Sequence, residues 1–220
     1  MKERIIITGY SGSLARRTTE LLKDNYEIIG LTSNKKRVNN KNIYYWNTST
    51  DEIDKRALEN CKHIIHLSGY PILKRWTKRN KKLMHESRVS ASNLLFNKCK
   101  QLNISPKTFI SASAIGIYGL NARGIKSEKD KIGTDWIARM ASDWEESAQQ
   151  FNQIGSRVIQ MRISLLMNKE TTFLKYNLLS MKLGIGIVIG SKEKKKGFKL
   201  LQKRNVTRQK DFGTNLQREK

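Results

Sequence analysis

Thr8-Gly9-Tyr10-Ser11-Gly12-Ser13-Leu14-Ala15 follows a β-branched run, Arg4–Thr8, and precedes an amphipathic stretch. These residue types at this spacing suit a phosphate-binding turn. Gly9 permits a tight exit from the strand, Gly12 lets backbone approach a pyrophosphate with no Cβ in the way, and Ala15 allows close helix–strand packing. A helix starting at Ser13 would aim free N–H groups and a partial positive charge at the phosphates. Gly9, Ser11, Gly12, Ser13 and Leu14 are therefore candidate contacts to a dinucleotide. The bland alternative is a Gly-rich strand-to-helix turn with no ligand.

A second position bears on the same chemistry. Thr32-Ser33-Asn34-Lys35-Lys36-Arg37 ends the second strand-like run. NAD-selective sites usually place Asp or Glu here to bind the ribose 2′-OH. No acid occurs, and three cations do, which favours a 2′-phosphate and so NADP over NAD. Thr32, Ser33 and Lys35 are the candidate contacts. A solvated basic loop in a basic protein would look the same.

The elements that must position these residues alternate. Strands are expected at Arg4–Thr8, Tyr26–Thr32, Asn42–Trp46, Lys62–Leu67, Lys107–Ala112 and Arg157–Met167. Helices are expected at Ser13–Asp24, with Leu14, Thr18, Leu21 and Leu22 on one face, at Asp51–Asn60, Arg75–Leu102 and Asp135–Gln153. Strands alternating with helices imply an α/β fold, a doubly wound parallel sheet of Rossmann type.

The chain has 220 residues and a formal net charge of +24. No apolar run approaches the ~18–20 residues of a membrane helix, and the short apolar start does not fit a signal peptide. Cys61 and Cys99 show no metal-ligand spacing, so no metal site is expected and a reduced, cytoplasmic setting is the default. Residues 191–220 hold eleven Lys and Arg against three acids. Such charge favours an anionic partner, and non-specific nucleic-acid binding through this tail is the expected form. A general Lys, Asn and Ile bias in composition is the alternative.

Further motifs carry a resemblance. His66-Leu67-Ser68-Gly69-Tyr70-Pro71-Ile72 precedes Lys74-Arg75-Trp76-Thr77 and Ser87-Arg88-Val89. Then come Ser111-Ala112-Ser113-Ala114-Ile115-Gly116-Ile117-Tyr118-Gly119, Asp135-Trp136-Ile137-Ala138 and Asp143-Trp144-Glu145. Together with the phosphate loop these resemble the extended short-chain dehydrogenase/reductases, in particular the atypical epimerase family of sugar-nucleotide epimerases. The resemblance covers residues 4–191. The family's counterpart of His66–Gly69 is an asparagine-leucine-alanine-glycine run. The resemblance implies that Leu67, Ser68 and Gly69 pass under the nicotinamide half of the cofactor and that Trp46 and Asn47 bracket the adenine. It also implies that Ser113 is the catalytic serine.

The superfamily's usual Tyr and Lys, four apart on the helix after that serine, are missing. Asp135–Gln153 offers Trp136, Ile137, Arg139 and Met140 instead. Tyr70 and Lys74 have the spacing, but they precede Ser113 and are read as coincidence. Tyr118 is the nearest alternative acid.

Leu183–Ser191 matches the Gly-rich stretch that leads into the family's substrate-binding domain, and then the pattern stops. The expected organisation is a dinucleotide-binding domain over 1–170, the start of a substrate domain over 171–191, and a basic tail over 192–220. A truncated or frameshifted reading frame accounts for the tail, and a genuine basic extension is the alternative. The expected function is an NADP-dependent epimerase or oxidoreductase, with loss of activity in this form. A non-catalytic dinucleotide-binding protein and a basic nucleic-acid-binding protein are the competing readings.

Overall fold

Ile5, Ile6 and Ile7 are β-branched, strand-favouring and all buried, which puts their strand in the middle of a sheet covered on both faces. The computed structural model describes residues 2–166 together with Leu178, Met181 and Lys182. The expected strand at Arg157–Met167 runs past this limit by one residue, and the expected substrate-domain start over 171–191 and tail over 192–220 lie outside it but for those three residues.

Seven strands form one sheet: β1 (Arg4–Thr8), β2 (Glu27–Thr32), β3 (Ile43–Asn47), β4 (Glu52–Ile53), β5 (Cys61–His66), β6 (Thr108–Ala114) and β7 (Arg157–Ile163). Their order is β4-β3-β2-β1-β5-β6-β7. All neighbours are parallel except β3 and β4. The strand order reverses between β1 and β5, so the crevice at the carboxyl ends of these strands is where ligands bind in such folds.

Among the described residues, five α-helices connect the strands: α1 (Ser13–Leu22), α2 (Lys55–Leu58), α3 (Lys78–Glu86), α4 (Val89–Gln101) and α5 (Trp136–Gln149). The two-residue period of β1 divides its isoleucines between two layers. Ile5 and Ile7 pack with Ala15 of α1, Ile28 and Ile65. Ile6 packs on the other face with Ile29, Ile64, Phe109, Leu95 of α4 and Ala148 of α5. Phe109 stacks on Phe151 with ring centroids 3.7 Å apart. Each fully buried Ile, Leu or Phe among them contributes roughly 1.5–3 kcal/mol.

Three expectations are corrected. The helix expected over Asp51–Asn60 is mostly not helical: Ile53 pairs with Trp46 in an antiparallel edge, and only Lys55–Leu58 is helical, capped by the Asp54 carboxylate on the Arg56 N–H. The helix expected over Arg75–Leu102 starts at Lys78, capped by Thr77, and breaks at Ser87–Arg88. There Ser87 Oγ accepts the Tyr70 N–H at 2.7 Å and donates to the Met84 carbonyl, to which Arg88 also donates. The Met84 carbonyl is thus taken by side chains, which turns the chain. Finally, Leu21 is 64% exposed, so α1 buries little beyond Ala15.

Candidate functional site

Gly9 turns at φ +64°, and the Gly12 N–H returns to its carbonyl at 2.8 Å. The positive φ suits glycine, and so does the surrounding space. A Cβ on Gly9 would lie 2.8 Å from the Leu67 carbonyl oxygen and 3.0 Å from Ser68 Cα. The loop after β1 and the loop after β5 thus touch backbone to backbone. Gly12 is the N-cap of α1 and contributes no capping side chain. Ser13 and Leu14 open the helix, whose first-turn N–H groups remain available to an anion.

One threonine ties these loops together. Thr8 Oγ1 accepts from the N–H groups of Leu67 (3.0 Å) and Ser68 (3.1 Å) and lies 2.9 Å from His66 Nδ1. Its single O–H is left for Nδ1, so the His66 proton sits on Nε2, 3.3 Å from the Arg88 carbonyl. His66 is fully buried, and burial pushes its pKa down to about 4. The imidazole is neutral and serves as a fixed acceptor beneath the loop.

A cleft of about 380 Å³ opens over this crossing. Gly9, Tyr10 and Ser11 line it from the first loop, Leu31, Thr32 and Ser33 from the end of β2, and Trp46 and Asn47 from the end of β3. Ser68, Gly69 and Ser87 line the opposite part. The Ser68 hydroxyl is buried with no partner in the protein, as expected of a group that meets a ligand. Arg88 lies under Gly69, where a Cβ would stand 2.9 Å from the guanidinium carbon. Burial pushes Arg88 down to about 10, and its guanidinium rests over the Trp144 ring.

Lys35 lines neither this cleft nor its neighbour. Its ammonium lies over the Tyr45 ring, 5.2 Å from the centroid. Arg37, two residues on, faces a second cavity of about 630 Å³ beside Tyr10. The Tyr10 ring lies on Gly30 of β2, where an added Cβ would be 2.6 Å from the ring.

Ser113 and Tyr118 are joined through two residues that the motifs alone did not single out as functional. Ser113, buried at the end of β6, donates to Glu145 Oε1 at 2.6 Å. Arg162 makes a two-pronged pair with Glu145 at 2.8 and 2.9 Å. The same guanidinium donates to Tyr118 Oη at 2.8 Å, and that hydroxyl donates to the Ser127 carbonyl at 2.8 Å. Burial pushes the Glu145 carboxyl up, but the hydrogen bonds from Arg162 and Ser113 outweigh it and hold it below its ordinary value. Arg162 is raised by the carboxylate hydrogen bond. One signal for Glu145 existed: it sits on the buried stripe of α5 with Ala138, Ala141 and Ala148. Arg162 had no local signal, because it meets Ser113 only through the β6–β7 register.

Ser113 and Tyr118 do not line the cleft described above. Trp136 and Met140 stand on α5. Trp136 lies 5.3 Å from Trp76, ring to ring, with the Lys81 ammonium over its face. Among the described residues no helix is long and apolar enough to cross a membrane.

The NAD dependent epimerase/dehydratase family matches residues 5–166. An epimerase family protein of Staphylococcus aureus strain MRSA252 is 30% identical over 191 residues, which cover 86% of this chain and 64% of that relative. The chain thus spans less than two thirds of the relative's length. The structure of a nucleoside-diphosphate sugar epimerase from Corynebacterium glutamicum superimposes with a TM-score of 0.69 at 25% identity, over 86% of this chain and 39% of the other. A human epimerase family protein solved with NADPH gives the same score at 19% identity, over 86% and 62%. At that identity the second likeness establishes the fold.

Proposed function

The chain belongs to the NAD dependent epimerase/dehydratase family, and from that premise we propose that it binds NADP(H) in the cleft between Gly9 and Gly69. The observation that carries this reading is the crossing of the two loops. Gly9 has no room for a side chain, α1 begins without a capping side chain, and the Ser68 hydroxyl is buried without a partner. These are the features a pyrophosphate and ribose would satisfy. Ser11, Ser13 and Leu14 offer backbone to the phosphates, Thr32 and Ser33 meet the adenosine half, Trp46 and Asn47 flank the base, and Leu67–Gly69 meet the nicotinamide half. The family's name specifies NAD, so the preference for NADP rests on this chain's own acid-free Thr32–Arg37 segment. When bound, the cofactor supplies a hydride acceptor or donor.

The relatives' substrates point to a nucleotide sugar. The residues that would move its proton are Ser113 and Tyr118, with Glu145 and Arg162 holding both hydroxyls. That set differs from a Tyr–Lys pair in one respect that matters for rate. Ser113 is already committed to a carboxylate, and no lysine stands on α5. General acid–base catalysis is worth about 10²–10⁴-fold, so the reading is cofactor binding with little or no turnover.

The test is titration of the full 220-residue chain with NADPH and NADH, then incubation with NADP and a panel of nucleotide sugars. Tighter binding of NADPH and no epimerisation are expected. Equal binding would remove the NADP assignment. Robust epimerisation, lost in Ser113→Ala and Tyr118→Phe, would show a complete catalyst.

A further inference from the structure

The cleft assigned to the cofactor has a neighbour on the other side of Tyr10. Ser11 and Thr32 line both spaces. Beyond them the second cavity is walled by Arg16 of α1, by Lys23 just past its end, by Arg37, and by one carboxylate, Glu20. Three cations against one acid make it an anion-attracting space. It opens at the end of β2, where the ribose 2′ position of a dinucleotide lies in this fold.

Two devices aim the arginines. Arg16 lies one turn into α1, and its Nη1 donates to the Ser11 carbonyl at 3.3 Å, which brings the guanidinium back to the phosphate loop. Arg37 ends a single 3-10 turn over Lys35–Arg37. That turn is pinned by Asn34. Its side chain accepts the Lys36 N–H at 3.0 Å, its carbonyl accepts the Arg37 N–H at 2.9 Å, and its own N–H reaches Thr32 Oγ1 at 3.2 Å. The pinned turn sends Lys35 out over Tyr45 and Arg37 into the cavity.

We propose that Arg16 and Arg37, from two walls of this second cavity, hold the 2′-phosphate of the cofactor, and that Lys35 does not. Planar guanidinium groups match a phosphate's oxygens with paired hydrogen bonds, whereas a lysine held over a ring presents one distant point charge. Glu20 does not reverse the sign of the space, because the cavity keeps an excess of two positive charges. The inference rests on the reading that the chain takes NADP(H), and it assigns the selectivity to a residue of α1 that no motif marks.

The experiment compares Arg16→Ala, Arg37→Ala and Lys35→Ala in the full-length chain by equilibrium titration with NADPH, NADH, 2′,5′-ADP and 5′-ADP. All three side chains are exposed, so the fold should tolerate the changes. Arg16→Ala and Arg37→Ala should each weaken NADPH and 2′,5′-ADP binding roughly ten- to hundredfold. NADH and 5′-ADP should change by less than about twofold. Lys35→Ala should change none of the four. A wild-type preference for NADPH that survives Arg16→Ala, or that collapses in Lys35→Ala, overturns this inference and leaves the cofactor reading standing. A wild-type chain that binds NADH as tightly as NADPH overturns both.

Discussion

Lowering the pH from 7 to 5 should destabilise this protein through one buried imidazole. His66 has a folded pKa of about 4 against an ordinary value of 6.5. The unfolded chain therefore binds a proton that the folded chain refuses. Stability from this group is complete above about pH 6.5 and falls as pH drops toward 4. Over the whole window the loss is about 3 kcal/mol, and between pH 7 and 5 it is about 2 kcal/mol. Against a typical domain stability of about 5–15 kcal/mol that is a large share. The physical cause is geometric. A second proton would have to sit on Nδ1, which already accepts the Thr8 hydroxyl, in a space with no carboxylate in contact. The assay is urea denaturation at pH 7 and pH 5 of the wild type and His66→Asn, the residue type found in the family's corresponding run. His63, facing Glu3, and His85, facing Asp143, are present in both proteins and cancel. The wild type should lose about 2 kcal/mol more than the variant on acidification. Equal losses would show that His66 is protonated without cost and that the tautomer argument is wrong.

Gly9→Ala should cost about 1–3 kcal/mol of stability, from a positive φ and a 2.8 Å contact with backbone, and NADPH titration should show that binding is lost. Gly12→Asp should lower the melting transition slightly, because its Cβ would stand 3.1 Å from the Gly9 carbonyl oxygen, and should abolish NADPH binding in titrations of the still-folded variant, since it sets a carboxylate at the phosphate position. Glu145→Ala should cost about 1–3 kcal/mol by taking the carboxylate from Arg162, which is partly exposed and keeps Tyr118 Oη and the Glu128 carbonyl; a Glu145→Ala/Arg162→Met double variant that recovers none of this in denaturant titrations would contradict the pairing. Deleting residues 192–220 should leave cofactor affinity unchanged and remove most low-salt DNA binding in a gel shift, because clustered cations supply that attraction. Sequence-preferring DNA binding that persists after the deletion would favour the nucleic-acid reading.

What the sequence disclosed was what is local. The Ile5–Ile7 run, the Gly9–Ala15 spacing and the helical stretch from Asp135 each act within a few residues, and their elements lie within two residues of the expected starts. The Ser87–Arg88 break depends on a hydrogen bond from Tyr70, seventeen residues away, so helical periodicity alone ran straight through it. β4 exists because Ile53 finds Trp46 across an edge, a pairing that two residues cannot announce. The Ser113–Glu145–Arg162–Tyr118 network was half legible: the hydroxyls stood in recognisable motifs, while the charges between them depend on strand register and helix packing. Lys35 was legible as a cation but not as one diverted to Tyr45.

The contact between Tyr10 and Gly30 has a consequence for how this chain can change over time. The ring fills the volume that any side chain at position 30 would need, within 2.6 Å. Substitutions at the two positions are therefore not interchangeable in order. Shrinking residue 10 first opens room for a larger residue 30, whereas enlarging residue 30 first drives the ring into one of the two spaces it separates. Relatives that carry a side chain at position 30 should carry a small residue at position 10. The history of that exchange would be recorded as epistasis between a loop and a strand twenty residues apart.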